Sequence, residues 1–152
     1  EGEEANEKGE VISLAPGHPE VRVLVAEDQP LNRLLMRKFL LSAGFTLAEA
    51  EDGKIAVEKW REWRPHVIFM DEEMPNMRGT EATRAIAAEA GSEMPVIVSL
   101  TAFALEDQRI AAMEAGCVDF VAKPFKRHEL FEVIAKHLPV RYLYSNEQSV
   151  AA

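Results

Sequence analysis

Short apolar runs alternate with longer stretches of helical periodicity from residue 21 to residue 138. Five mostly apolar runs, rich in β-branched residues, are predicted to be strands: Val21–Ala26, Thr46–Ala50, His66–Met70, Val96–Leu100 and Val118–Val121. Five longer stretches are predicted to be helices: Pro30–Ala43, Lys54–Trp63, Thr80–Ala90, Leu105–Ala115 and Lys126–His137. Pro30 at the start of the first helix and Gly44 after its end fit the usual helix boundaries.

The apolar spacing also predicts which side of each helix faces the core. The predicted core positions are Leu31, Leu35 and Phe39 in the first helix, Ala56, Trp60 and Trp63 in the second, Ile86 in the third, Ile110 and Met113 in the fourth, and Leu130, Phe131, Ile134 and then Leu138 in the fifth.

Strands that alternate with helices predict βαβ units and a parallel sheet covered by helices on both faces. His66–Met70 and Val96–Leu100 agree, because a strand covered on both sides has no wet face. Five such units predict a small doubly wound α/β domain, and the length excludes a barrel of eight units.

The flanks of this region differ in composition. Residues 1–19 are predicted to be an acidic linker in which only Val11, Ile12 and Leu14 could pack or form a short strand. Residues 20–138 form the predicted domain, and residues 139–152 form a C-terminal tail whose first part, Pro139–Tyr144, is apolar enough to dock.

Polar side chains follow the predicted strands at their carboxyl ends. Glu27 and Asp28 follow the first strand, Asp71 the third, Thr101 the fourth and Lys123 the fifth. In an open parallel α/β sheet, ligands bind outside these ends, near the point where the strand order reverses. We therefore expect two or three carboxylates, one hydroxyl and one ammonium to meet at one edge.

Carboxylates that meet in a half-buried cleft repel one another, so one takes up a proton or a cation binds. A few hard oxygen ligands suit Mg²⁺, which keeps several waters and accepts phosphate oxygens, whereas the cage of oxygens that Ca²⁺ needs is missing. Lys123 and Thr101 could complete a site for a phosphoryl group, and an aspartate can form an acyl phosphate.

Four segments, in this order, resemble the receiver domains of two-component response regulators. They are Val-Leu-Val-Ala-Glu27-Asp28-Gln-Pro-Leu-Asn32-Arg, Met70-Asp71-Glu-Glu-Met74-Pro75, Leu100-Thr101-Ala102 and Ala122-Lys123-Pro124-Phe125. The resemblance covers about residues 21–138. It implies a flavodoxin-like (βα)5 fold with the strand order 2-1-3-4-5, and a signalling phosphoacceptor rather than an enzyme.

The resemblance also assigns roles. Asp71 is the expected phosphoacceptor, loaded from a phosphohistidine on a histidine kinase or phosphotransfer domain. Glu27, Asp28, Asp71 and the backbone carbonyl of Glu73 are the expected ligands of Mg²⁺, with Mn²⁺ as a substitute. Thr101 and Lys123 are expected to bind the phosphoryl group and to take part in catalysis with Asp71.

The family's switch implies further expectations. Thr101 moves toward the phosphoryl group, and Phe120 occupies the position of the aromatic residue that turns inward. The face made by the fourth helix, fifth strand and fifth helix then changes, and a second copy of the chain could bind there as a homodimer. The bond between Lys123 and Pro124 is cis in the family.

Four residues stand out against the family's pattern. Glu73 adds a carboxylate beside the site, and Arg78 stands where an aspartate is usual, which bears on helix capping and partner contacts. Phe120 lacks a tyrosine hydroxyl, so its two positions should differ by packing alone. Phe103 is bulky enough to screen the site from water.

Charge and cysteine content narrow the class of protein. The net charge is −9, of which residues 1–20 carry −5, and without a basic stripe direct nucleic-acid binding is not expected. Apolar runs far shorter than the roughly 18 residues of a membrane span, together with an acidic N-terminus, predict a cytoplasmic protein. The single cysteine, Cys117, allows no disulfide within the chain.

The context of the domain is a further expectation. The stretch from Gly9 to Val25 resembles the connection between the ATP-binding domain and the C-terminal receiver of a hybrid sensor histidine kinase, so we expect such a parent protein. Two alternatives stay open: a pseudo-receiver that only docks or dimerises, and a small phosphohydrolase with an aspartate nucleophile. The first would tend to lose Asp71 or Lys123, and the second would carry Asp-x-Asp after its first strand.

Overall fold

The computed structural model describes residues 9–102 and 105–146. Its strands are β1 (Val11–Leu14), β2 (Arg22–Ala26), β3 (Thr46–Ala50), β4 (Val67–Asp71), β5 (Val96–Thr101), β6 (Asp119–Ala122) and β7 (Tyr142–Tyr144). Its helices are α1 (Pro30–Ser42), α2 (Gly53–Trp63), α3 (Gly79–Ala90), α4 (Glu106–Ala115) and α5 (Arg127–His137), with a short 3-10 turn at Gly91–Glu93. Each of the ten predicted elements is present within one residue of its predicted ends.

The five strands of the predicted domain form one parallel sheet in the order β3-β2-β4-β5-β6. This is the expected order 2-1-3-4-5, and the doubly wound α/β fold is confirmed. The chain runs outward from β2 to β3 and then returns to the other side of β2 with β4. The order therefore reverses between β2 and β4, so that their carboxyl ends lie side by side.

Apolar side chains fill a core on each face of the sheet. Val23, Val25 and Phe69 point toward α1 and α5, whereas Leu24 and Ile68 point toward α2 and α3. Successive residues of a strand point to opposite faces, so both sets are buried at once. All five residues of β4 are buried, as expected for a central strand covered on both sides.

The predicted core positions are right for three helices, wrong for α4 and partly right for α1, in which Phe39 packs against the core as predicted. Trp60, Ile86 and the residues Leu130, Phe131 and Ile134 are buried. In α1, however, Leu31 and Leu35 are exposed, and Met36 and Leu40 face the sheet. In α4, Ile110 and Met113 are exposed, and Ala112 and Ala115 are buried. Each of these helices carries apolar residues on two sides, and only one side can lie on the sheet.

The segments that flank the predicted domain pair with each other. β1 and β7 form a two-stranded antiparallel sheet that packs on the α1 and α5 side of the core. Leu14 N donates to Ala43 O (2.7 Å), and the Tyr142 hydroxyl donates to Phe131 O (2.8 Å). The segments that flank the predicted domain on both sides therefore pack against it. The domain boundaries at residues 20 and 138 stay a prediction.

Candidate functional site

Three carboxylates meet at the strand-order reversal. Glu27 and Asp28 follow β2, and Asp71 is the last residue of β4, whose Met70 pairs with Ala26 of β2. One carboxylate oxygen from each of the three acids lies within 4.8 Å of the other two. Glu27 is fully buried and Asp71 is 3% exposed, so these charges lie inside the molecule rather than on a solvated loop.

Lys123 brings one positive charge into this cluster. Its Nζ atom lies 3.0 Å from Asp71 Oδ1 and 2.9 Å from Glu27 Oε1. The residue follows β6, and its backbone N–H donates to Thr101 O (2.8 Å), which joins the ends of β5 and β6. The peptide bond between Lys123 and Pro124 is cis, as the resemblance implied.

The electrostatics of the cluster favour a bound cation. Burial, and then the negative charge of Glu27, raise the pKa of Asp71 to about 6, although Lys123 opposes the shift. Burial disfavours the charged form of Lys123, but the hydrogen bonds and charges of Glu27 and Asp71 outweigh it and raise the pKa of Lys123. One ammonium facing three carboxylates leaves negative charge uncompensated.

The uncompensated negative charge is also visible at one oxygen atom of Glu27. Its Oε2 accepts a hydrogen bond from Gln29 N (3.1 Å). Its Oε1 is the one buried side-chain polar atom of residues 9–102 and 105–146 without a well-directed hydrogen bond, since the contact from Lys123 is an ion pair only. Lys123 Nζ contacts this buried anionic oxygen but is shared with Asp71, so its single positive charge does not balance both carboxylates. The three acids therefore fit a divalent ion with oxygen ligands.

Arg33 fixes the loop that carries the acidic pair. Its Nη1 donates to the backbone oxygens of Glu27 (2.8 Å) and Asp28 (3.1 Å), and its Nε lies 3.5 Å from Glu49 Oε1. No role for Arg33 was predicted from the sequence. The available signal was a basic residue one turn into the helix that follows two acids, within reach of the carbonyls before that helix.

Thr101 and Phe120 lie beside a common cavity. Thr101 ends β5 and Phe120 lies in β6, and both line a cavity of about 110 Å³ together with Ser99 and Arg109. The guanidinium carbon of Arg109 lies 4.6 Å from the centroid of the Phe120 ring, a cation–π contact. The aromatic residue and the strand-end hydroxyl are thus neighbours of one open space.

Glu73 and Arg78 contact each other at the rim of the site. Arg78 Nη2 lies 2.9 Å from Glu73 Oε2, and Arg78 Nε lies 3.1 Å from Glu72 Oε2. Glu72 also accepts hydrogen bonds from Thr80 N and Oγ1, and the Arg78 N–H donates to Glu81. Glutamates therefore satisfy the first turn of α3 in place of the missing aspartate. Phe103, the fourth unusual residue, lies outside the described residues.

The sequence model of the response regulator receiver domain matches residues 23–135. The chain belongs to this receiver family. The receiver domain is 35% identical over 118 residues to the chemotaxis protein CheY of Bacillus subtilis, covering 77% of this chain and 97% of that protein. It is also 35% identical over 136 residues to hybrid signal transduction histidine kinase I of Dictyostelium discoideum, covering 84% of this chain but only 8% of that protein.

Solved structures agree with this assignment. The receiver domain of a sensor histidine kinase from Pseudomonas aeruginosa, with a magnesium ion coordinated in its active site cleft, matches with a TM-score of 0.72 and 35% identity over 78% of this chain and 97% of that one. The Ssk1 receiver, in its complex with the phosphotransfer protein Ypd1 of Saccharomyces cerevisiae, matches with a TM-score of 0.73 and 31% identity over 78% of this chain and 89% of that one.

The family fixes the general role. This is a receiver domain of a two-component phosphorelay, a family of signalling phosphoacceptors rather than of enzymes in the usual sense. Its relatives include both a small chemotaxis protein and long hybrid signal transduction histidine kinases. Among the helices of residues 9–102 and 105–146, none combines the length and the apolar character needed to cross a bilayer.

Proposed function

We propose that Asp71 accepts a phosphoryl group from a phosphohistidine and that the domain then changes its partner-binding face. The observation that supports this most directly is the position of Asp71. It ends a central strand at the strand-order reversal, within 4.8 Å of two further carboxylates and 3.0 Å from the Lys123 ammonium. A nucleophilic oxygen, a cation site and a phosphate-binding ammonium thus share one cleft.

The transfer needs little from the protein beyond position and charge. A carboxylate oxygen of Asp71 forms an O–P bond while the P–N bond of phosphohistidine breaks, and the bonding electron pair goes to the imidazole nitrogen. Lys123 neutralises charge on a phosphoryl oxygen, and the Thr101 hydroxyl donates a hydrogen bond to another. A bound Mg²⁺ supplies further charge neutralisation; Glu27, Asp28, Asp71 and the backbone carbonyl of Glu73 would hold it, and Mn²⁺ could replace it.

Incubation with acetyl phosphate and Mg²⁺ tests this function against its alternatives. A receiver gains one phosphoryl group per chain, as an acyl phosphate that peptide mapping places on Asp71. A docking module gains no adduct, and a phosphohydrolase consumes the donor continuously. Either of those results would overturn the proposal.

Asp28→Ala is expected to weaken Mg²⁺ binding about 10–100-fold, because groups one shell farther from a metal already contribute that much. Titration calorimetry on the unphosphorylated domain measures this directly. Glu51→Gln is the matched control, since it removes one negative charge from an exposed turn outside the cluster. If both variants lost the same Mg²⁺ affinity, Asp28 would act only through the net charge of the region and not as a metal ligand.

An exposed leucine stripe next to the site supports a protein as phosphodonor. Leu31, Leu34, Leu35 and Leu41 are all exposed on α1, which begins two residues after Asp28. Spacings of three, four and seven residues place them on one side of the helix. We infer that a helix of the phosphohistidine-bearing partner packs on the N-terminal part of this stripe, made by Leu31, Leu34 and Leu35, and so brings its imidazole to Asp71.

Leu31→Ser is expected to slow transfer from a phosphohistidine-bearing protein about tenfold, because we place Leu31, the most exposed leucine of the stripe and the one nearest Asp28, at the centre of the contact, where the residues that contribute most to binding cluster. The rate with acetyl phosphate should stay the same. Leu41→Ser is the control: Leu41 is 50% exposed and Leu31 76% exposed, but Leu41 lies about 15 Å farther along the helix. Equal slowing with both donors would contradict the docking role.

The remaining parts of the proposal concern the output and the parent protein. Thr101 and Phe120 act as the switch, and the face made by α4, β6 and α5 is the surface that changes and can pair with a second copy. The boundaries 20 and 138, a hybrid histidine kinase as the parent and a cytoplasmic location are proposed with it. The support for a hybrid parent is the similarity to long kinases, of which this chain spans 8–13% in two cases.

A further inference from the structure

Arg78 binds both glutamates that follow Asp71. It forms ion pairs with Glu72 (3.1 Å) and Glu73 (2.9 Å), and the Glu73 side chain is 77% exposed. Glu72 is held from its other side by Thr80 at the start of α3, so its carboxylate has a fixed place. Glu73 has Arg78 as its ion-pair partner, and that contact determines where its charge lies.

The backbone at the start of α3 lies against the end of β4, where Asp71 is the last residue. A Cβ atom added to Gly79 would lie 2.2 Å from Asp71 O, so the chain at residue 79 touches the chain at Asp71. Gly79 N also donates to Glu72 O (3.2 Å). Arg78 is therefore only one residue from a point of direct contact with Asp71. It also lines the cavity shared by Thr101 and Phe120.

Charge makes this position important for an incoming phosphodonor. The carboxylates of Glu27, Asp28 and Asp71 form the cluster, and Glu72 and Glu73 are the next two residues of the chain after Asp71. Among the described residues, Lys123 forms ion pairs with Glu27 and Asp71, Arg78 forms ion pairs with Glu72 and Glu73, and Arg109 lines the cavity beside Arg78. Small phosphodonors are anions, and the field around a cleft changes their rate of arrival. Without Arg78, two glutamates at the entrance would repel the donor.

We propose that Arg78 is a positioning residue that holds Glu73 and Glu72 in ion pairs and so sets the electrostatic potential at the entrance of the site. This inference rests on the proposed function. It gives Arg78 opposite effects on the two ions that the site must receive. Removing Arg78 makes the entrance more negative, which strengthens the binding of Mg²⁺ and slows the arrival of an anionic donor.

The test compares Arg78→Ala, Glu73→Gln, the double variant and the control Arg84→Ala, which removes an exposed arginine on the same helix. Calorimetry gives the Kd of Mg²⁺ without donor, and mass spectrometry gives the second-order rate constant for acetyl phosphate at saturating Mg²⁺. In Arg78→Ala, Mg²⁺ should bind about 2–10-fold more tightly and phosphorylation should be slower by a similar factor at low salt.

The other variants complete the prediction. Glu73→Gln should shift both constants the opposite way, the double variant should return close to the original protein, and Arg84→Ala should change neither. About 1 M salt should remove the differences in rate, because the Debye length is then about 3 Å. A structural defect would weaken Mg²⁺ binding and phosphorylation together.

The inference is overturned if Mg²⁺ affinity and phosphorylation rate of Arg78→Ala do not change in opposite directions. Failure of the unaltered protein to form an adduct would instead refute the proposed function, and the Mg²⁺ measurements would still test Arg78.

Discussion

Asp71→Asn is expected to abolish the acyl phosphate and, at the same time, to stabilise the metal-free domain. An amide has no anionic oxygen to attack phosphorus, so the loss of adduct should be complete. The amide keeps the shape of the carboxylate and can still accept a hydrogen bond from Lys123. It no longer places a negative charge in a buried position beside Glu27.

The stability effect has a defined pH dependence. The pKa of Asp71 is raised to about 6, which means that folding disfavours the ionised form. Below about pH 4 the Asp71 carboxyl is protonated in both the folded and the unfolded state, so its burial costs no stability there. The free energy of unfolding then decreases as the pH rises through about 6, because the folded state resists the ionisation. Asn cannot ionise, so the variant should lack this slope. Above pH 7 it should be more stable by about 1–3 kcal/mol.

Thermal or denaturant unfolding of both proteins between pH 4 and pH 8, with the metal chelated, measures the effect. Adding Mg²⁺ should raise the Tm of the original protein much more than that of Asp71→Asn, because the variant lacks one carboxylate ligand. Asp52→Asn is unsuitable as a control because Asp52 caps α2 through Ile55 N. Glu51→Gln serves instead. A variant less stable than the original protein at pH 8 would show that Asp71 is not electrostatically strained.

The site could be predicted from sequence because it depends on topology. Parallel strands present their carboxyl ends at one edge, and that rule places Glu27, Asp28, Asp71 and Lys123 together, as the structure does, while the roles of these residues and of Thr101 stay predictions. The rule gives no side-chain directions. The contacts of Lys123 Nζ with Glu27 (2.9 Å) and Asp71 (3.0 Å) were visible only in the three-dimensional structure.

The helix α1 shows where periodicity misleads. Leu31, Leu35 and Phe39 have core-like spacing, yet Met36 and Leu40 are the residues that face the sheet. A helix with leucines on two sides gives two consistent solutions, and burial decides between them only once the helix is placed. Phe39 packs against the core as predicted, whereas Leu31 and Leu35, near the end of α1 that follows Asp28, are exposed and are assigned to the partner.

Contacts between distant segments of the chain could not be predicted from the sequence either. β1 and β7 are more than 120 residues apart, and each alone is a short apolar run without a visible partner. Arg78 and Glu73 looked like two unrelated departures from the family's pattern, but they form one ion pair. An ion pair between surface side chains leaves no periodic signature, so that only the loop conformation shows it.

Lys123→Ala is expected to slow phosphorylation of Asp71 by acetyl phosphate about 10²–10³-fold, which is the usual cost of removing one preorganised donor from a site of developing charge. Lys123 is the cation that contacts both Asp71 and Glu27, so its loss also leaves two buried carboxylates without their ion-pair partner. Breaking a buried ion pair typically costs about 3–5 kcal/mol. The rate should therefore be measured at saturating Mg²⁺, with circular dichroism to verify folding.

Two further variants separate charge from packing. Lys123→Met keeps most of the side-chain length without the ammonium, so its rate should fall as far as that of Lys123→Ala. Lys126→Ala removes the same charge from an exposed position three residues later and should stay close to the original rate. If Lys123→Met retained more than a tenth of the original rate, the ammonium would not be the group that neutralises the phosphoryl oxygen. Magnesium and the Thr101 hydroxyl would then have to supply that neutralisation, and Lys123 would serve mainly to balance the buried charges of Asp71 and Glu27.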